Sequence, residues 1–253
     1  MTRFNILLTA AASIAALSGS ALAAPTTGAV RNIVLVHGAF ADGSGWKAVA
    51  TLLQKDGYTV SVVQQPMTSL EDDVIATNRI LDRQSGPAVL VGHSYGGGII
   101  TVAGNNPKVA SLVYVAAFAP DEGEQLGPLT QSNPPATKGI APTKDGFLLV
   151  DPAVFPADFA ADVPLPEARF MAISQMPTAA KAFGTPITTP AWKTKPTWAI
   201  VATEDRMINP DLERMMYKRA KATVTEVRAS HAVYVSQPRA VANVIEAAAR
   251  GSH

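Results

Sequence analysis

The sequence predicts an α/β fold in which helices cover both faces of a mostly parallel sheet of about six strands, with an inserted helical lid. Short apolar runs alternate with amphipathic helical segments in both halves of the chain, and this alternation is typical of parallel sheets. The alternation stops between residues 119 and 196, where prolines are frequent, so this stretch is predicted to be the insertion. A third observation is an apolar strand that turns at once into a helix through Gly92-x-Ser94-x-Gly96.

Strands and helices alternate in the predicted order before the insertion. The strands are apolar enough to be buried on both faces, and the helices carry a periodic apolar face. In chain order they are the strand 32–36, the helix 46–54, the strand 59–63, the helix 69–84, the strand 88–91, the helix that begins after Ser94, and the strand 109–118. Ser44 and Ser69 are predicted to cap the first two helices, because a serine hydroxyl can accept a hydrogen bond from a free amide of the first turn.

The proline-rich insertion is predicted to fold as a cap of small helices. Short helical pieces fit residues 152–159 and 166–175. A structureless loop of this length is uncommon in a compact domain, so we expect a lid that packs on the main domain. The alternation then resumes with the strand 197–203, the helix 210–220, the strand 223–228 and a final amphipathic helix that starts near Ser236.

Residues 1–23 have the pattern of a secretory signal peptide. Arg3 precedes an apolar stretch, and Ala21-x-Ala23 forms a small-residue cleavage site. The apolar stretch is shorter than the roughly 20 residues that span a bilayer, so a membrane anchor is not expected. We therefore expect residues 24–253 to be a single exported domain, periplasmic or extracellular, with no stable membrane association after the signal is removed.

The composition argues against several classes of function. The net charge is +1 and the chain has no basic run, which argues against nucleic acid as a partner. The chain has no cysteine, so disulfide bonds, thiol catalysis and cysteine metal sites are excluded. The composition leaves the oligomeric state open.

The central motif, Gly92-x-Ser94-x-Gly96, has the context of a nucleophile elbow. Small residues on both sides of Ser94 allow the sharp turn from strand to helix, and the turn holds the serine in a strained conformation with its side chain exposed. The hydroxyl then lies at the N-terminus of a helix, where developing negative charge is stabilised. We therefore predict that Ser94 is a nucleophile.

A serine nucleophile needs a base, and the chain has four histidines. His253 lies in the terminal tail, His37 is expected to be structural, and the side chain of His93 is expected to point away from that of Ser94. His231 directly follows the last predicted strand, at the carboxyl edge of the sheet where ligands bind in open α/β folds. We therefore predict that His231 is the base.

The acid that orients this histidine is expected from a loop at the same edge of the sheet. Asp205 follows the strand 197–203, and its neighbour Glu204 is expected to be a solvated or capping residue. Asp121, after the strand 109–118, is the alternative. We favour Asp205, because the order serine, acid, histidine, with the acid on the strand before the base, is the order that this architecture uses.

The negatively charged oxygen of a tetrahedral intermediate needs two hydrogen-bond donors. The backbone N–H of Tyr95, directly after the nucleophile, is predicted to be one donor. The other is predicted to be the N–H of Ala39, in the loop after the first strand, with the N–H of Phe40 as the alternative. This chemistry needs neither a metal ion nor an organic cofactor.

At these positions the sequence resembles the α/β-hydrolase superfamily. The matching segments are residues 34–39, 92–97, 204–205 and 230–231. The resemblance covers nearly all of the chain after the signal peptide, and it implies the α/β-hydrolase fold.

A narrower likeness is to the branch that contains plant methylesterases and hydroxynitrile lyases, which has many bacterial esterase-like members. It rests on residues 36–39, with Trp46 downstream, and on residues 117–121. In the lyases a threonine follows the first-strand histidine and a lysine follows the catalytic histidine. Here Gly38 and Ala232 occupy those positions, so the resemblance implies ester hydrolysis and argues against cyanohydrin cleavage.

The predicted function is that of a serine hydrolase, which cleaves carboxylic esters of small or medium, apolar molecules through an acyl-enzyme intermediate. Alternatives on the same triad are a perhydrolase of the cofactor-free haloperoxidase type, an amidase, a lactonase and a hydroxynitrile lyase. A non-catalytic binding protein on this scaffold is the alternative from a different class. The predicted pocket wall consists of apolar side chains near the nucleophile and in the lid, namely Phe40, Phe118, Met171, Met176, Phe183 and Trp192.

Overall fold

The computed structural model describes Met1 and residues 30–252. Apart from Met1, the predicted signal peptide lies outside the described residues, and so does His253. Within the described ranges, no helix is both long enough and apolar enough to cross a membrane.

The chain from residue 30 to the end of the fourth strand alternates strands and helices in the predicted order. In chain order the elements are β1 (Asn32–Val36), α1 (Lys47–Lys55), β2 (Thr59–Val63), α2 (Leu70–Leu81), β3 (Ala88–Ser94), α3 (Gly96–Ala103) and β4 (Val109–Ala117). Ser69 caps α2 as predicted, since its hydroxyl oxygen accepts a hydrogen bond from the Asp72 amide at 3.1 Å. The cap predicted at Ser44 is wrong. The Asp42 carboxylate accepts from the Ser44 amide at 2.7 Å and begins a 3-10 turn over Gly43–Trp46 that leads into α1.

The insertion, residues 119–196, contains a small sheet in addition to the predicted helices, and we refer to it as the lid. Its elements are α4 (Leu126–Leu129), β5 (Ile140–Pro142), β6 (Phe147–Val150), α5 (Phe155–Asp158), α6 (Leu165–Ile173), β7 (Thr178–Ala179) and α7 (Ala180–Phe183). Strands β5, β6 and β7 pair antiparallel in that order. These strands are too short to leave an alternating pattern, so the sequence did not reveal them.

After the lid the alternation resumes. The elements are β8 (Thr197–Ala202), α8 (Pro210–Arg219), β9 (Thr223–Val227), the short helix α9 (Val233–Ser236) and α10 (Pro238–Gly251). The side chain of Asn209 accepts a hydrogen bond from the Asp211 amide at 3.0 Å and so caps α8. The helix has acidic residues in its first turn and basic residues in its last, as the helix dipole favours.

The main sheet has six parallel strands in the order β2-β1-β3-β4-β8-β9, which confirms the predicted architecture. Its two faces bury separate apolar cores, because successive side chains of a strand point to opposite faces. On β1, Ile33 and Leu35 pack in the core beneath α1 and α10. Val34 and Val36 pack in the opposite core, with α2, α3 and α8. Buried side chains of the lid, among them Phe155 and Phe159, belong to this second core, so the lid packs on the sheet domain.

Candidate active site

Ser94 is the last residue of β3, near the middle of the main sheet, and only one residue separates it from α3. Its φ angle is +54°, in the left-handed region that a non-glycine residue rarely adopts. Such strain persists only where the surrounding structure imposes it, and it is common at functional sites. The sharp strand-to-helix turn predicted from the sequence is therefore present, with Ser94 at its tip.

Two glycines allow the turn after β3 to contact the loop after β1. A Cβ atom on Gly96 would lie 2.7 Å from the carbonyl oxygen of His37, closer than real Cβ contacts. A Cβ atom on Gly38 would lie 2.6 Å from the Cβ atom of Ser94. The loop that carries Ala39, the predicted second oxyanion donor, therefore begins in direct contact with the predicted nucleophile.

His231 and Asp205 form a buried pair at the same edge of the sheet. The His231 Nδ1–H donates a hydrogen bond to Asp205 Oδ2 at 2.6 Å, and both side chains are almost fully buried. The other oxygen of Asp205 accepts hydrogen bonds from the Met207 and Ile208 amides at 2.7 Å and 2.9 Å. With a proton on Nδ1, the Nε2 atom of a neutral His231 is free to accept one.

His93 connects the nucleophile turn to the histidine loop. Its Nε2–H donates a hydrogen bond to the backbone carbonyl oxygen of His231 at 2.9 Å. Its ring lies between those of His231 and Tyr234, with centroid distances of 4.6 Å and 4.3 Å. Burial keeps the pKa of His93 well below its ordinary value, so this ring is neutral. The neutral ring of His93, the residue before Ser94, is thus hydrogen-bonded to the backbone of His231.

The hydrogen bonds of the described residues join His231 to Asp205 and to His93, and none of them joins Ser94 to His231. Catalytic hydrogen bonds are often long in unliganded proteins and tighten when a substrate binds. The roles predicted for Ser94, His231 and Asp205 therefore remain predictions, although the structure brings the last two together.

The two other candidate acids have partners of their own. Asp121 pairs with Lys193, with 2.7 Å between its Oδ1 and the Lys193 Nζ. Glu204 pairs with Arg228, with 2.6 Å between Oε1 and Nε, and both side chains of this pair are exposed. Among the carboxylates proposed from the sequence, only Asp205 is bonded to a histidine in the structure.

The lid is attached to the loop that carries His231 and to the loop that carries Asp205. The Ala232 amide, in the loop after β9, donates to the Phe159 carbonyl oxygen at 2.9 Å. The Arg206 Nε–H, in the loop after β8, donates to Asp158 Oδ1 at 2.7 Å. Burial opposes ionisation of Asp158, but its hydrogen bonds to Arg206 and Thr137 outweigh burial and lower its pKa.

Two buried carboxyl groups near the site were missed from the sequence. Asp73 on α2 is fully buried and accepts a hydrogen bond from the Tyr95 hydroxyl at 2.7 Å. Its spacing from Leu70 and Leu81 puts it on the apolar face of the helix, and this signal was available. Glu213 on α8 is also fully buried, and its carboxyl oxygens have no hydrogen-bond partner among the described residues. Burial, and then the charge of Asp205, raise the pKa of Glu213 well above its ordinary value.

A cavity of about 740 Å³ lies between the loop after β1, α1, the lid helix α6 and the segment that includes Tyr234. Phe40 and Met171 line it, but Ser94 and His231 do not. Tyr234 lines the cavity, and its ring packs at a tilt against that of His93, the residue before the predicted nucleophile, with 4.3 Å between centroids.

The other predicted pocket residues lie elsewhere. Met176 lines a separate depression between the lid and α2. Phe183 packs on the Tyr95 ring, with 5.2 Å between centroids. Phe118 and Trp192 are buried in the core on the lid side of the sheet, where the Trp192 Nε1–H donates to the Pro120 carbonyl oxygen at 2.8 Å. Within residues 30–252, no cluster of three or more histidine, aspartate or glutamate side chains is arranged to hold a metal ion.

Comparison with known proteins gives one family match and several relatives. The sequence pattern of the alpha/beta hydrolase family matches residues 33–244. A carbendazim hydrolyzing esterase from Nocardioides sp. is 37% identical over an alignment of length 109, and the match covers 38% of this chain and 45% of that protein. The chain thus matches less than half the length of that relative.

A second relative matches over a longer region. A pyrethroid hydrolase from Sphingobium wenxiniae is 29% identical over an alignment of length 247, and the match covers 85% of this chain and 86% of that protein. The solved structure of a pyrethroid hydrolase from Sphingobium faniae superimposes with a TM-score of 0.74 at 26% identity, covering 88% of this chain and 98% of that one. The shared fold therefore extends over nearly the whole of the solved chain.

Proposed function

The chain belongs to the alpha/beta hydrolase family, and on that basis we propose that it is a serine hydrolase of carboxylic esters of small or medium, apolar molecules. The observation that carries the proposal is the buried pair of His231 and Asp205, 2.6 Å apart, at the sheet edge where Ser94 occupies a strained turn. A histidine oriented by a buried carboxylate is the arrangement that activates a serine hydroxyl.

In the proposed reaction Ser94 Oγ attacks the ester carbonyl carbon while its proton passes to His231 Nε2. The tetrahedral intermediate collapses, and the imidazolium returns this proton to the departing alcohol. Water then attacks the acyl-enzyme, again with His231 as base, and the acid product leaves. Asp205 orients the imidazole and stabilises its positive charge, while its other oxygen is held by two backbone amides.

The oxyanion is proposed to bind to the backbone N–H groups of Tyr95 and Ala39. The contact between Gly38 and Ser94 supports this choice, because it brings the loop after β1 to the side of the nucleophile. Fixed donors aimed at the developing charge stabilise a transition state more than a ground state.

Two positions support ester hydrolysis over cyanohydrin cleavage. A threonine at Gly38 would place its Cβ atom 2.6 Å from the Cβ atom of Ser94 and 2.9 Å from His93 Nδ1, so one of these residues would have to move. Ala232 is fully buried, and a lysine there would place an ammonium group in an apolar environment. The relatives named as a pyrethroid hydrolase and a carbendazim hydrolyzing esterase also support a hydrolytic reaction on a small molecule.

The proposal is tested with p-nitrophenyl esters of graded acyl length, from acetate to laurate. We expect hydrolysis by the wild-type protein and a fall in kcat of about 10⁴-fold or more in Ser94→Ala. The matching amides serve as a control for the reaction class, and slower turnover of amides than of esters is expected. Ester turnover that survives in Ser94→Ala would contradict the serine mechanism.

We also propose that the protein is exported and that residues 1–23 are removed, on the basis of their sequence pattern. The intact mass of the protein recovered from the periplasm or medium of a bacterial host tests this directly. A mass that begins at Ala24 is expected, and a full-length mass would contradict it.

A further inference from the structure

Asp73 is a buried carboxylate that the proposed reaction does not use directly. It lies in the first turn of α2, where its neighbours Glu71 and Asp72 are exposed, while Asp73 itself is fully buried. Both of its oxygens accept hydrogen bonds from neutral donors, the Met67 amide at 2.8 Å and the Tyr95 hydroxyl at 2.7 Å. Burial raises its pKa to about 6, although both hydrogen bonds act in the opposite direction.

The hydrogen bond to Tyr95 leads directly to the proposed oxyanion site. Tyr95 follows Ser94 and forms the N-terminal boundary of α3, and its backbone N–H is the first proposed donor. Its ring is fully buried between Asp73 and Phe183 of the lid, with 5.2 Å between the ring centroids. A fixed side chain leaves the peptide N–H of the same residue little freedom to turn.

The hydrogen bond to Met67 leads to the lid. Met67 has a φ angle of +60°, a left-handed conformation that a non-glycine residue rarely adopts, and Asp73 holds its amide. Its carbonyl oxygen accepts a hydrogen bond from the Ala179 amide at 2.9 Å, at the end of β7. The helix α7, which carries Phe183, begins at the next residue. One carboxylate thus holds both the turn after Ser94 and the lid segment that packs on that turn.

We propose that Asp73 is a positioning residue, which fixes the Tyr95 N–H in the oxyanion hole and holds the lid against Tyr95. The inference rests on the proposed function, because it assigns the Tyr95 N–H to the oxyanion. Asp73 does not touch the reacting atoms, and it acts through the side chain of Tyr95 and the backbone of Met67.

The test compares Asp73→Asn and Tyr95→Phe with a matched control, Asp72→Asn, which makes the same chemical change at the adjacent exposed position. The Asp72 carboxylate accepts hydrogen bonds from the Thr68 and Ser69 hydroxyls. Among the described residues, no hydrogen bond joins it to Tyr95. Active sites are counted by complete reaction with a fluorophosphonate, so that kcat is expressed per active site, and KM and the Ki of phenylboronic acid are measured on the same preparations. The boronate forms a tetrahedral adduct on the serine and so reports on the oxyanion hole.

We expect Asp73→Asn and Tyr95→Phe each to lower kcat by about 10- to 100-fold per active site with little change in KM. The Ki of phenylboronic acid is expected to rise by the same factor, because both quantities depend on the oxyanion donors. The double variant is expected to lose no more than the single variant with the larger loss, since both changes break the connection between Asp73 and Tyr95. Asp72→Asn is expected to match the wild type.

A purely structural role would lower the melting temperature and the number of active sites, but it would leave kcat per active site and the Ki of the boronate unchanged. That result would overturn the inference, and so would fully additive losses in the double variant. A wild-type protein that neither hydrolyses esters nor reacts with the fluorophosphonate would overturn the proposed function itself, which distinguishes the two failures.

Discussion

Asp205 Oδ2 lies 2.6 Å from His231 Nδ1, and neither side chain is exposed to solvent by more than a trace. The orientation of this carboxylate is fixed independently of the histidine, because its other oxygen accepts two backbone hydrogen bonds. A carboxylate held in this way fixes the tautomer of the imidazole as well as its direction. By contrast, Asp121 is bound to Lys193 at a half-exposed position.

The acid assignment is tested by replacing each candidate carboxylate with its amide. We expect Asp205→Asn to lower kcat by about 10⁴-fold, because the amide favours the wrong tautomer of His231. Asp121→Asn breaks only the ion pair with Lys193 and is expected to change kcat by less than about 3-fold. The measurement is ester turnover per active site for both variants. A large loss in Asp121→Asn with a small loss in Asp205→Asn would reverse the assignment.

Phe159 of the lid packs edge-on to the His231 ring, with 4.8 Å between centroids. Phe155 stacks on Phe159 at 4.5 Å, is equally buried, and serves as a matched control. We expect alanine at either position to lower the free energy of unfolding by about 3–5 kcal/mol, as in other buried cores. Only Phe159→Ala is expected to lower kcat per active site, because only Phe159 packs on the base. Equal kinetic losses in the two variants would show that the contact with His231 does not matter.

We expect Glu213 to make the free energy of unfolding depend on pH. Its pKa is raised in the folded protein, so the folded chain keeps a proton that the unfolded chain loses above its ordinary pKa of 4.5. We therefore expect the contribution of Glu213 to the stability of the wild type to fall as pH rises above this value, and Glu213→Gln removes that loss. We expect the stability difference in favour of Glu213→Gln to grow by up to about 1.4 kcal/mol per pH unit. Denaturant unfolding of both proteins across a pH series measures it, and a pH-independent difference would refute the raised pKa.

At Gly38, an added methyl group would collide with Ser94. A Cβ atom there would lie 2.6 Å from the Cβ atom of Ser94, so Gly38→Ala must displace the loop or the nucleophile. We expect a fall in kcat of about 100-fold. Gly86→Ala is the control, because its new Cβ atom would meet Asn32 at an ordinary 3.6 Å. Unchanged turnover in Gly38→Ala would show that the loop after β1 does not approach the reacting atoms.

The main sheet and the chain order of the site residues could be predicted from the sequence, because both depend on local signals. Apolar runs such as residues 32–36 mark buried strands, and glycines around Ser94 mark the turn. The contact between Asp73 and Tyr95 joins residues that are 22 positions apart in the sequence, and no local sequence pattern indicates that they meet. The cap at Asp42 was missed because Ser44, two residues later, is an equally good candidate by residue type.

The lid was the part least open to prediction. Its strands have between two and four residues each, and they gain stability by pairing with one another and packing on the sheet domain. The predicted pocket residues show the same limit. Phe40 and Met171 line the large cavity, whereas Trp192, of similar apolar character, is buried in the core. Composition alone does not distinguish an apolar side chain that faces a cavity from one that faces a core.

The central claim is that Ser94 is the nucleophile, and the most direct measurement is to map the site of covalent modification. The wild-type protein and Ser94→Ala are treated with a fluorophosphonate, digested, and analysed by peptide mass spectrometry. We expect one phosphonyl group per chain on the peptide that contains Ser94, parallel loss of ester turnover, and no adduct in Ser94→Ala. An adduct on another residue, or full ester turnover in a protein that carries no adduct, would contradict the claim.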